Sequence, residues 1–346
     1  RLPCVKFVKL THTKSCRTEN KKRIVYLDAL KCLAILIVID LHIMNYNGFK
    51  PYDFLPNQML YAPVMPLFFF ISGVLAYKQN MDVKSLFDNI RKKFVFLVIP
   101  AVVFCMGKDL MNHKFLLRFV TEGFHGYWFT IVLFECFLVY YLLTIAIKNE
   151  KWRIGILLLL SLAGIGILAV NKDFGPAIFD FRRLSKFFQF FVLGTLAMKY
   201  RPKYESLMNN EVFKATFIAS SFIVLILLTY DIPSILHHFL SDVALRYFTT
   251  FAIVSFFFCH ESNFLRESKL NSIISYIGQN TLAIYLLHYF FLPHFSPIPE
   301  WFEGFDMVTV HLVSMLYTVA ITVLCLLFIK FLSNSKYIRK YGLGKK

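Results

Sequence analysis

The segment YLDALKCLAILIVIDLHIMNY, residues 26–46, has the length and the apolar content of a membrane-spanning helix. It also carries four groups that hydrocarbon disfavours, namely Asp28, Lys31, Asp40 and His42. A charge at mid-membrane costs at least about 2.5–3.5 kcal/mol on insertion scales, so such residues face protein or water and are candidates for function. The segment therefore predicts a membrane helix with a functional polar face.

Helical geometry places three of these four groups on one side of the segment. Lys31 and His42 are eleven residues apart, which separates them by about 20° in direction and about 16 Å along the axis. Asp28 precedes Lys31 by three residues, close enough to form an ion pair. Asp40 points nearly opposite to His42. We therefore expect a polar stripe of Asp28, Lys31 and His42 that runs along most of the membrane thickness.

The rest of the chain has the composition of a membrane protein. Of its 346 residues, 57% are hydrophobic and 18% are aromatic, which exceeds the needs of a soluble core. Apolar runs long enough to cross the membrane as helices recur along the chain and predict an all-α, polytopic fold. The ten predicted spans are approximately 24–43, 60–77, 94–106, 127–147, 154–170, 187–198, 212–230, 243–259, 273–292 and 307–329.

The distribution of cations predicts the orientation of these spans. If the amino terminus is cytoplasmic, the cytoplasmic segments hold 28 of the 38 Lys and Arg residues, as expected when cations are retained inside during insertion. Both termini are therefore predicted to be cytoplasmic. The net charge of +17 is explained by this asymmetry, so it does not indicate a nucleic-acid partner.

Three regions are predicted along the chain. Residues 1–23 form a basic cytoplasmic leader that we expect to be disordered, and the first span then acts as an uncleaved anchor. Residues 24–330 form the ten-helix domain, and residues 331–346 form a basic cytoplasmic tail. The seven cysteines lack metal-ligand spacing, so we expect no metal site and no bound cofactor.

Five motifs follow one another along the chain. The first is Lys31, ten residues and then His42, preceded by Leu27-Asp28. The other four are PLFFFISGVLAY (66–77), YWFTIVLFECFLVYYL (127–142), FFQFFVLGTLAMKY (187–200), which contains an FxLG motif, and NTLAIYLLHYFF (280–291). In this order they resemble the acyltransferase 3 family of membrane O-acyltransferases, and the first resembles the signature of that family's first helix. The FxLG motif in particular is similar to the fucose O-acetylase-like branch.

The resemblance implies a donor and a catalytic base. Acyl-CoA is the implied donor, and His42 is the implied general base, with Asp28 and Lys31 as the other catalytic candidates; a histidine is the usual base for activating a hydroxyl near neutral pH. The family often has an Arg-x-x-Arg pair after its second helix, where this chain has Lys93 and Phe96. Arg91 and Lys92 lie just upstream, so a basic cluster remains for donor phosphates, together with Lys31.

Four further residues are candidates for acceptor binding. They are Trp128, Glu135, Tyr285 and His288. Glu135 either orients His42 or an acceptor hydroxyl, or pairs with Arg246 as a helix-packing contact. His288 either binds the acceptor or makes a hydrogen bond between helices.

The expected function is transfer of an acetyl group from cytoplasmic acetyl-CoA to a hydroxyl of a cell-surface or lipid-linked saccharide. The expected location is the bacterial cytoplasmic membrane, with membrane lipid as the surrounding partner. Two alternatives remain open at this point. One is a transporter or flippase of a lipid-linked sugar, for which internal repeats and paired broken helices are typical. The other is a haem protein with His42 and His288 as axial ligands.

Overall fold

The computed structural model describes residues 24–49, 51–78, 81–111, 122–170, 179–293 and 306–344. The predicted leader, residues 1–23, lies outside this part of the chain. Regular secondary structure in the described ranges is helical throughout, which confirms the all-α class for them.

Fifteen α-helices make up these ranges, joined in places by short 3₁₀ and π turns. Two π turns, Phe94–Val98 and Leu240–Ala244, link consecutive helices without a break, and the 3₁₀ turn His288–Phe290 extends α14. The helices are α1 Val25–Tyr46, α2 Leu55–Tyr61, α3 Val64–Ala76, α4 Val83–Lys93, α5 Ile99–Met111, α6 Trp128–Ala146, α7 Glu150–Val170, α8 Phe181–Lys199, α9 Arg201–Met208, α10 Glu211–Leu227, α11 Ser234–Phe239, α12 Leu245–Cys259, α13 Glu261–Leu265, α14 Lys269–Leu287 and α15 Met307–Leu332.

Five helical segments of the described residues are long and apolar enough to cross a membrane, judged by length and composition. A sixth is added if α9 and α10, which meet at 68°, form one broken span. The chain is therefore a multi-pass membrane protein. The count of ten spans and the cytoplasmic placement of both termini stay predictions. The five segments are Leu55–Ala76, Val83–Met111, Trp128–Ala146, Ser234–Cys259 and Met307–Leu332.

The two shortest predicted spans are longer in the structure. The span predicted at 94–106 belongs to the continuous helical segment Val83–Met111, and the span predicted at 187–198 belongs to α8. Hydropathy misplaced these ends because both helices begin with charged turns, such as the Arg182-Arg183 pair in α8. Pro100 lies at the start of α5, directly after the π turn Phe94–Val98.

Close packing of α1 against α14 fixes the centre of the fold. A side chain at Gly278 of α14 would place its Cβ 2.1 Å from the Asp28 carbonyl oxygen, so only glycine permits this approach. Asp28 lies beside Gly278, and further along both helical segments His42 lies beside His288. The two helices therefore run parallel. The helices α3 and α8 approach equally closely but run antiparallel, since a Cβ at Gly73 would lie 2.0 Å from the Phe191 carbonyl oxygen and one at Gly194 would lie 2.1 Å from the Phe70 carbonyl oxygen.

The opposite face of α1 is held by a buried carboxylate. Asp40 accepts hydrogen bonds from the Tyr61 hydroxyl at 2.7 Å and from the Ser314 hydroxyl at 2.5 Å, which ties α1 to α2 and α15. His311 Nδ1 lies 3.6 Å from the same carboxylate. The prediction that Asp40 points away from His42 is confirmed. With its partners on other helices, Asp40 fixes the rotation of α1 about its axis.

Candidate active site

The polar stripe of α1 begins with an ion pair. Lys31 Nζ lies 2.6 Å from Asp28 Oδ1, so the predicted pairing at three residues' spacing is confirmed. Lys31 also borders a cavity of about 180 Å³, which we call the Lys31 cavity. Its walls are largely apolar and include Phe68, Leu97 and Leu133. It is a narrow, mainly apolar space with an ammonium group in its wall.

The stripe ends at a larger cavity of about 740 Å³, which we call the His42 cavity. His42 is partly exposed and lies in its wall. Aromatic side chains make up much of the rest of this wall, and they are Tyr52, Tyr61, Trp128, Phe179, Phe181, Phe187 and Tyr285. The two cavities share Val38, Met65 and Tyr285 as wall residues, so they adjoin one another along the face of α1 that joins Lys31 to His42.

Both ring nitrogens of His42 are engaged in hydrogen bonds. His42 Nδ1 lies 2.9 Å from His288 Nε2, and His42 Nε2 lies 3.1 Å from the Tyr289 hydroxyl. His288 is fully buried, and its Nδ1 lies 2.6 Å from the Tyr285 carbonyl oxygen. Three groups on α14 and its 3₁₀ extension therefore form one hydrogen-bonded chain with the histidine of α1.

This chain of contacts fixes the tautomer of His42. A carbonyl oxygen only accepts, so His288 Nδ1 must carry the hydrogen that bonds to Tyr285. For neutral imidazoles, His288 Nε2 is then an acceptor, and His42 Nδ1 donates to it. The remaining nitrogen, His42 Nε2, holds a lone pair that accepts from the Tyr289 hydroxyl. The chain therefore leaves His42 Nε2 as the basic atom.

Tyr289 has a second partner that suits the protonated state of His42. Its hydroxyl also lies 3.2 Å from the Gly126 carbonyl oxygen. When His42 Nε2 carries a proton, that nitrogen donates to the Tyr289 oxygen, and the tyrosine hydrogen turns to Gly126. These three groups and the Gly126 carbonyl thus accommodate His42 with and without the extra proton, without a change in heavy-atom positions.

Two groups of charged residues contribute to the wall of the His42 cavity. Asp180 caps α8 by accepting from the Arg183 backbone N–H at 2.9 Å, and its carboxylate pairs with the Arg183 guanidinium. That guanidinium lies 4.6 Å from the ring centre of Trp128. In the second group, the Asp242 carboxylate is shared by Lys186 Nζ and by Arg246 Nη2, the latter at 3.3 Å.

The acceptor candidates of the sequence fall into two sets. Trp128 and Tyr285 line the His42 cavity, and the Tyr285 hydroxyl donates to the Gly126 carbonyl at 2.6 Å. His288 does not line this cavity; it makes the hydrogen bond between helices that was its alternative role. Glu135 is buried in α6, away from both cavity walls.

Glu135 is not brought together with either of its expected partners. Neither of its carboxylate oxygens makes a hydrogen bond of good geometry to a described residue. Its electrostatic neighbour is Asp180. The alternative pairing with Arg246 is not formed, because Arg246 bonds to Asp242 and to the Ala62 carbonyl oxygen.

The predicted donor cluster lies in the last turn of α4. Arg91 and Lys92 are exposed, and Lys93 is partly buried with its Nζ 3.7 Å from the ring centre of Phe137. None of the three lines the Lys31 cavity, whose nearest wall residue in sequence is Leu97. They are therefore placed beyond that cavity rather than inside it.

The haem alternative does not fit this geometry. The facing nitrogens of His42 and His288 are hydrogen-bonded to each other at 2.9 Å. Two axial ligands of one iron atom bind it from opposite sides, which needs a larger separation. Within the described residues, no three groups of the His, Cys, Asp or Glu type come together as a metal site.

Sequence reasoning missed Tyr289 and the cluster of Lys186, Asp242 and Arg246. Tyr289 directly follows His288. A prediction that places His288 beside His42 would therefore also have placed Tyr289 near that histidine. Lys186 is not among the site residues predicted from the sequence, although the run DFRRLSK, residues 180–186, concentrates charge at the start of a span. A buried charge of that kind is itself a signal of function.

Comparison with known proteins gives one match. A family model described as an acyltransferase domain matches residues 24–330, from the residue before α1 into α15. No curated protein and no solved structure matches the chain.

Proposed function

The chain belongs to the acyltransferase 3 family, and from this premise we propose that this membrane acyltransferase moves an acetyl group from acetyl-CoA to a saccharide hydroxyl. The acceptor is a cell-surface or lipid-linked saccharide, and His42 is the general base. The resemblance of residues 187–200 to the fucose O-acetylase-like branch supports a sugar acceptor. The proposed location is the cytoplasmic membrane of a bacterium.

The observation that carries the proposal is the lone pair on His42 Nε2. The hydrogen-bond chain through His288 to the Tyr285 carbonyl orients the imidazole and assigns its proton to Nδ1. A general base needs a basic atom within hydrogen-bond reach of the hydroxyl that it deprotonates. The Tyr289 hydroxyl occupies the position of such a group, 3.1 Å from Nε2. Tyr289 is not among the described wall residues of the His42 cavity, so its hydroxyl gives up this position to the acceptor hydroxyl when the acceptor binds.

The reaction then follows from ordinary acyl transfer. His42 Nε2 removes the proton of the acceptor hydroxyl as its oxygen attacks the thioester carbonyl carbon. A carbon–oxygen bond forms, and the carbon–sulfur bond breaks with its electron pair remaining on sulfur. The proton held by His42 passes to the leaving thiolate, which releases CoA as the thiol. The products are the acetyl ester and free CoA, and His42 returns to its neutral form.

The two cavities offer a route for the donor. The pantetheine arm of acetyl-CoA is thin, and it enters through the Lys31 cavity with its thioester at the junction beside Val38 and Met65. Lys31 meets the arm or a phosphate, and Asp28 keeps the ammonium group in place through the 2.6 Å ion pair. Arg91, Lys92 and Lys93 hold the remaining phosphates outside the cavity. Donor and acceptor then approach His42 from opposite sides of the membrane.

The decisive experiment replaces His42 and compares it with a histidine remote from the site. Purified His42→Ala, in lipid nanodiscs with acetyl-CoA and a saccharide mixture, should lose about 10³-fold in transfer, because general base catalysis contributes about 10²–10⁴-fold. Transfer is measured as release of the CoA thiol and as acetyl ester by mass spectrometry. The exposed His260→Ala is the control and should keep wild-type activity. Near wild-type transfer by an equally abundant His42→Ala protein would show that His42 is not the base.

The same preparation separates this function from the transporter alternative. A flippase moves a lipid-linked sugar across the bilayer without consuming acetyl-CoA. If sealed vesicles containing the protein move such a lipid but release no CoA thiol from acetyl-CoA, the acyltransferase proposal is wrong.

A further inference from the structure

The cluster of Lys186, Asp242 and Arg246 has more positive than negative charge. Lys186 and Arg246 both line the His42 cavity, and both pair with the one carboxylate of Asp242. The three side chains are largely buried, with exposed fractions of 19%, 23% and 17% in the order Lys186, Asp242 and Arg246. A buried ammonium and a buried guanidinium therefore share a single counterion.

The other charged residues around the cavity leave the described part of its wall positive. Arg183 is matched by Asp180 in a pair of its own. Arg182 and Glu122 also line the cavity and are opposite in sign. With Asp242 included, the described residues around the cavity comprise four cations and three carboxylates. Two largely buried cations that share one carboxylate are expensive and are retained where they have a function.

Arg246 also has a donor that none of the described residues uses. Its Nη1 donates to the Ala62 carbonyl oxygen at 3.3 Å, and its Nη2 bonds to Asp242, but its buried Nε has no partner within the described part of the chain. A buried donor without an acceptor is costly, and an anionic oxygen bound beside the cavity would accept from it. The guanidinium is therefore able to bind a further oxygen acceptor.

We propose that this cluster binds an anionic group, a carboxylate or a phosphate, carried by the acceptor saccharide. This inference rests on the proposed function and adds the chemical class of the acceptor. The anion lies between Lys186 and Arg246 opposite Asp242, while the sugar ring packs on the aromatic wall that includes Trp128. A hydroxyl of the same sugar then faces His42 in the same cavity.

The occupant is the acceptor rather than the phosphates of the donor because the cavities differ in their walls. The Lys31 cavity is narrow and mainly apolar, as a thin acyl arm requires, whereas the aromatic wall of the His42 cavity suits the apolar face of a sugar ring. Both cations of the cluster also lie in the same cavity as the proposed base.

The test compares ligands of similar shape and different charge. Dissociation constants of glucose, glucuronic acid and glucose 6-phosphate are measured by calorimetry on the full chain in nanodiscs, with no donor present. The wild type should bind at least one of the two anionic sugars at least about tenfold more tightly than glucose, as expected for a well-formed charged hydrogen bond. Which anionic sugar binds more tightly distinguishes a carboxylate from a phosphate.

Two variants of the cluster should shift this preference in opposite directions. Lys186→Gln should reduce the preference for the anionic sugar to less than about threefold, and Asp242→Asn should increase it, because it removes the competing carboxylate. If the cluster had a purely structural role, both variants would weaken the binding of all three sugars by the same factor. The Asp242→Asn variant keeps the test decisive if Lys186→Gln fails to fold.

The inference fails if the wild type binds the charged and neutral sugars equally, or if both variants change all three affinities by the same factor. It also fails if CoA competes with glucuronic acid and Lys186→Gln weakens CoA binding, since the cluster would then hold donor phosphates. These binding results do not depend on transfer. His42→Ala should keep the preference for the anionic sugar, so a failure of the proposed function leaves this test intact.

Discussion

The Lys31 cavity and the His42 cavity adjoin each other but differ in size and in chemistry. The first has about 180 Å³ and walls that are largely apolar, with Lys31 as its cation. The second has about 740 Å³ and contains the histidine, an aromatic wall and several cations. The same helix borders both spaces, because α1 presents Lys31 to the small one and His42 to the large one, with Val38 of the same face between them. In the proposed function, the small space takes the donor and the large one takes the acceptor.

The largest effect is expected from blocking the junction between the Lys31 cavity and the His42 cavity. Val38 is buried and lines both cavities, so Val38→Phe should fill the passage between them. We expect transfer to fall by more than about 100-fold, because small displacements of the reacting groups cost that much. The measurement is ester formation, together with binding of acetyl-CoA and of acceptor, which should persist. Val38→Ala is the control and should stay within a few-fold of wild type. Full transfer by Val38→Phe would mean that the acyl group does not pass this residue.

The proposed role of His42 as base is tested by changing His288, its hydrogen-bond partner. His288→Leu removes the acceptor for His42 Nδ1, and we expect a loss of about 100-fold in kcat with little change in the KM for acetyl-CoA. His288→Gln keeps an oxygen that can accept the same hydrogen bond, so it should restore activity to within about tenfold of wild type.

The pH dependence of kcat separates orientation from mere packing. The apparent pKa of the base should shift in His288→Leu and return towards the wild-type value in His288→Gln. Equal losses in both variants with an unshifted profile would contradict the positioning role.

The proposed role of Lys31 in donor binding is tested by changing its charged group. Lys31→Ala should raise the KM for acetyl-CoA by about tenfold and also leave Asp28 without its partner. Lys31→Arg should keep most activity, because either cation can meet Asp28 or a phosphate. The KM for the acceptor should not change, since the proposed acceptor site lies in the other cavity. The exposed Lys84→Ala is the matched control. An unchanged KM in Lys31→Ala would show that this side does not bind the donor.

The smallest effect is expected beyond the Lys31 cavity. Neutralising Arg91, Lys92 and Lys93 together should raise the KM for acetyl-CoA by about three- to tenfold, and the effect should shrink at high salt, since two of these cations are exposed. A control that neutralises the exposed Lys151, Arg266 and Lys269 should leave that KM unchanged. If both triple variants behave alike, the effect reflects overall charge rather than a donor site.

The helical class and the polar face of α1 can be predicted from the sequence alone. The pairing of Asp28 with Lys31, the opposite direction of Asp40 and the shared face of Lys31 and His42 follow from a fixed rotation of about 100° per residue. Such features depend on residues within one helix, so periodicity is sufficient to predict them. The ends of helices were less predictable, because charged first turns lower hydropathy without ending the helix, as in α8.

The groups that surround His42 are known only from the tertiary structure, because they lie far from it in sequence. His288 and Tyr289 follow it by 246 and 247 residues, and they meet it because Gly278 lets α14 approach the backbone of α1. The cluster of Lys186, Asp242 and Arg246 likewise joins α8 to the helical segment Ser234–Cys259. Helical periodicity says which face of a helix is polar, but not which other helix covers it, because that choice depends on the packing of backbones and side chains between distant segments.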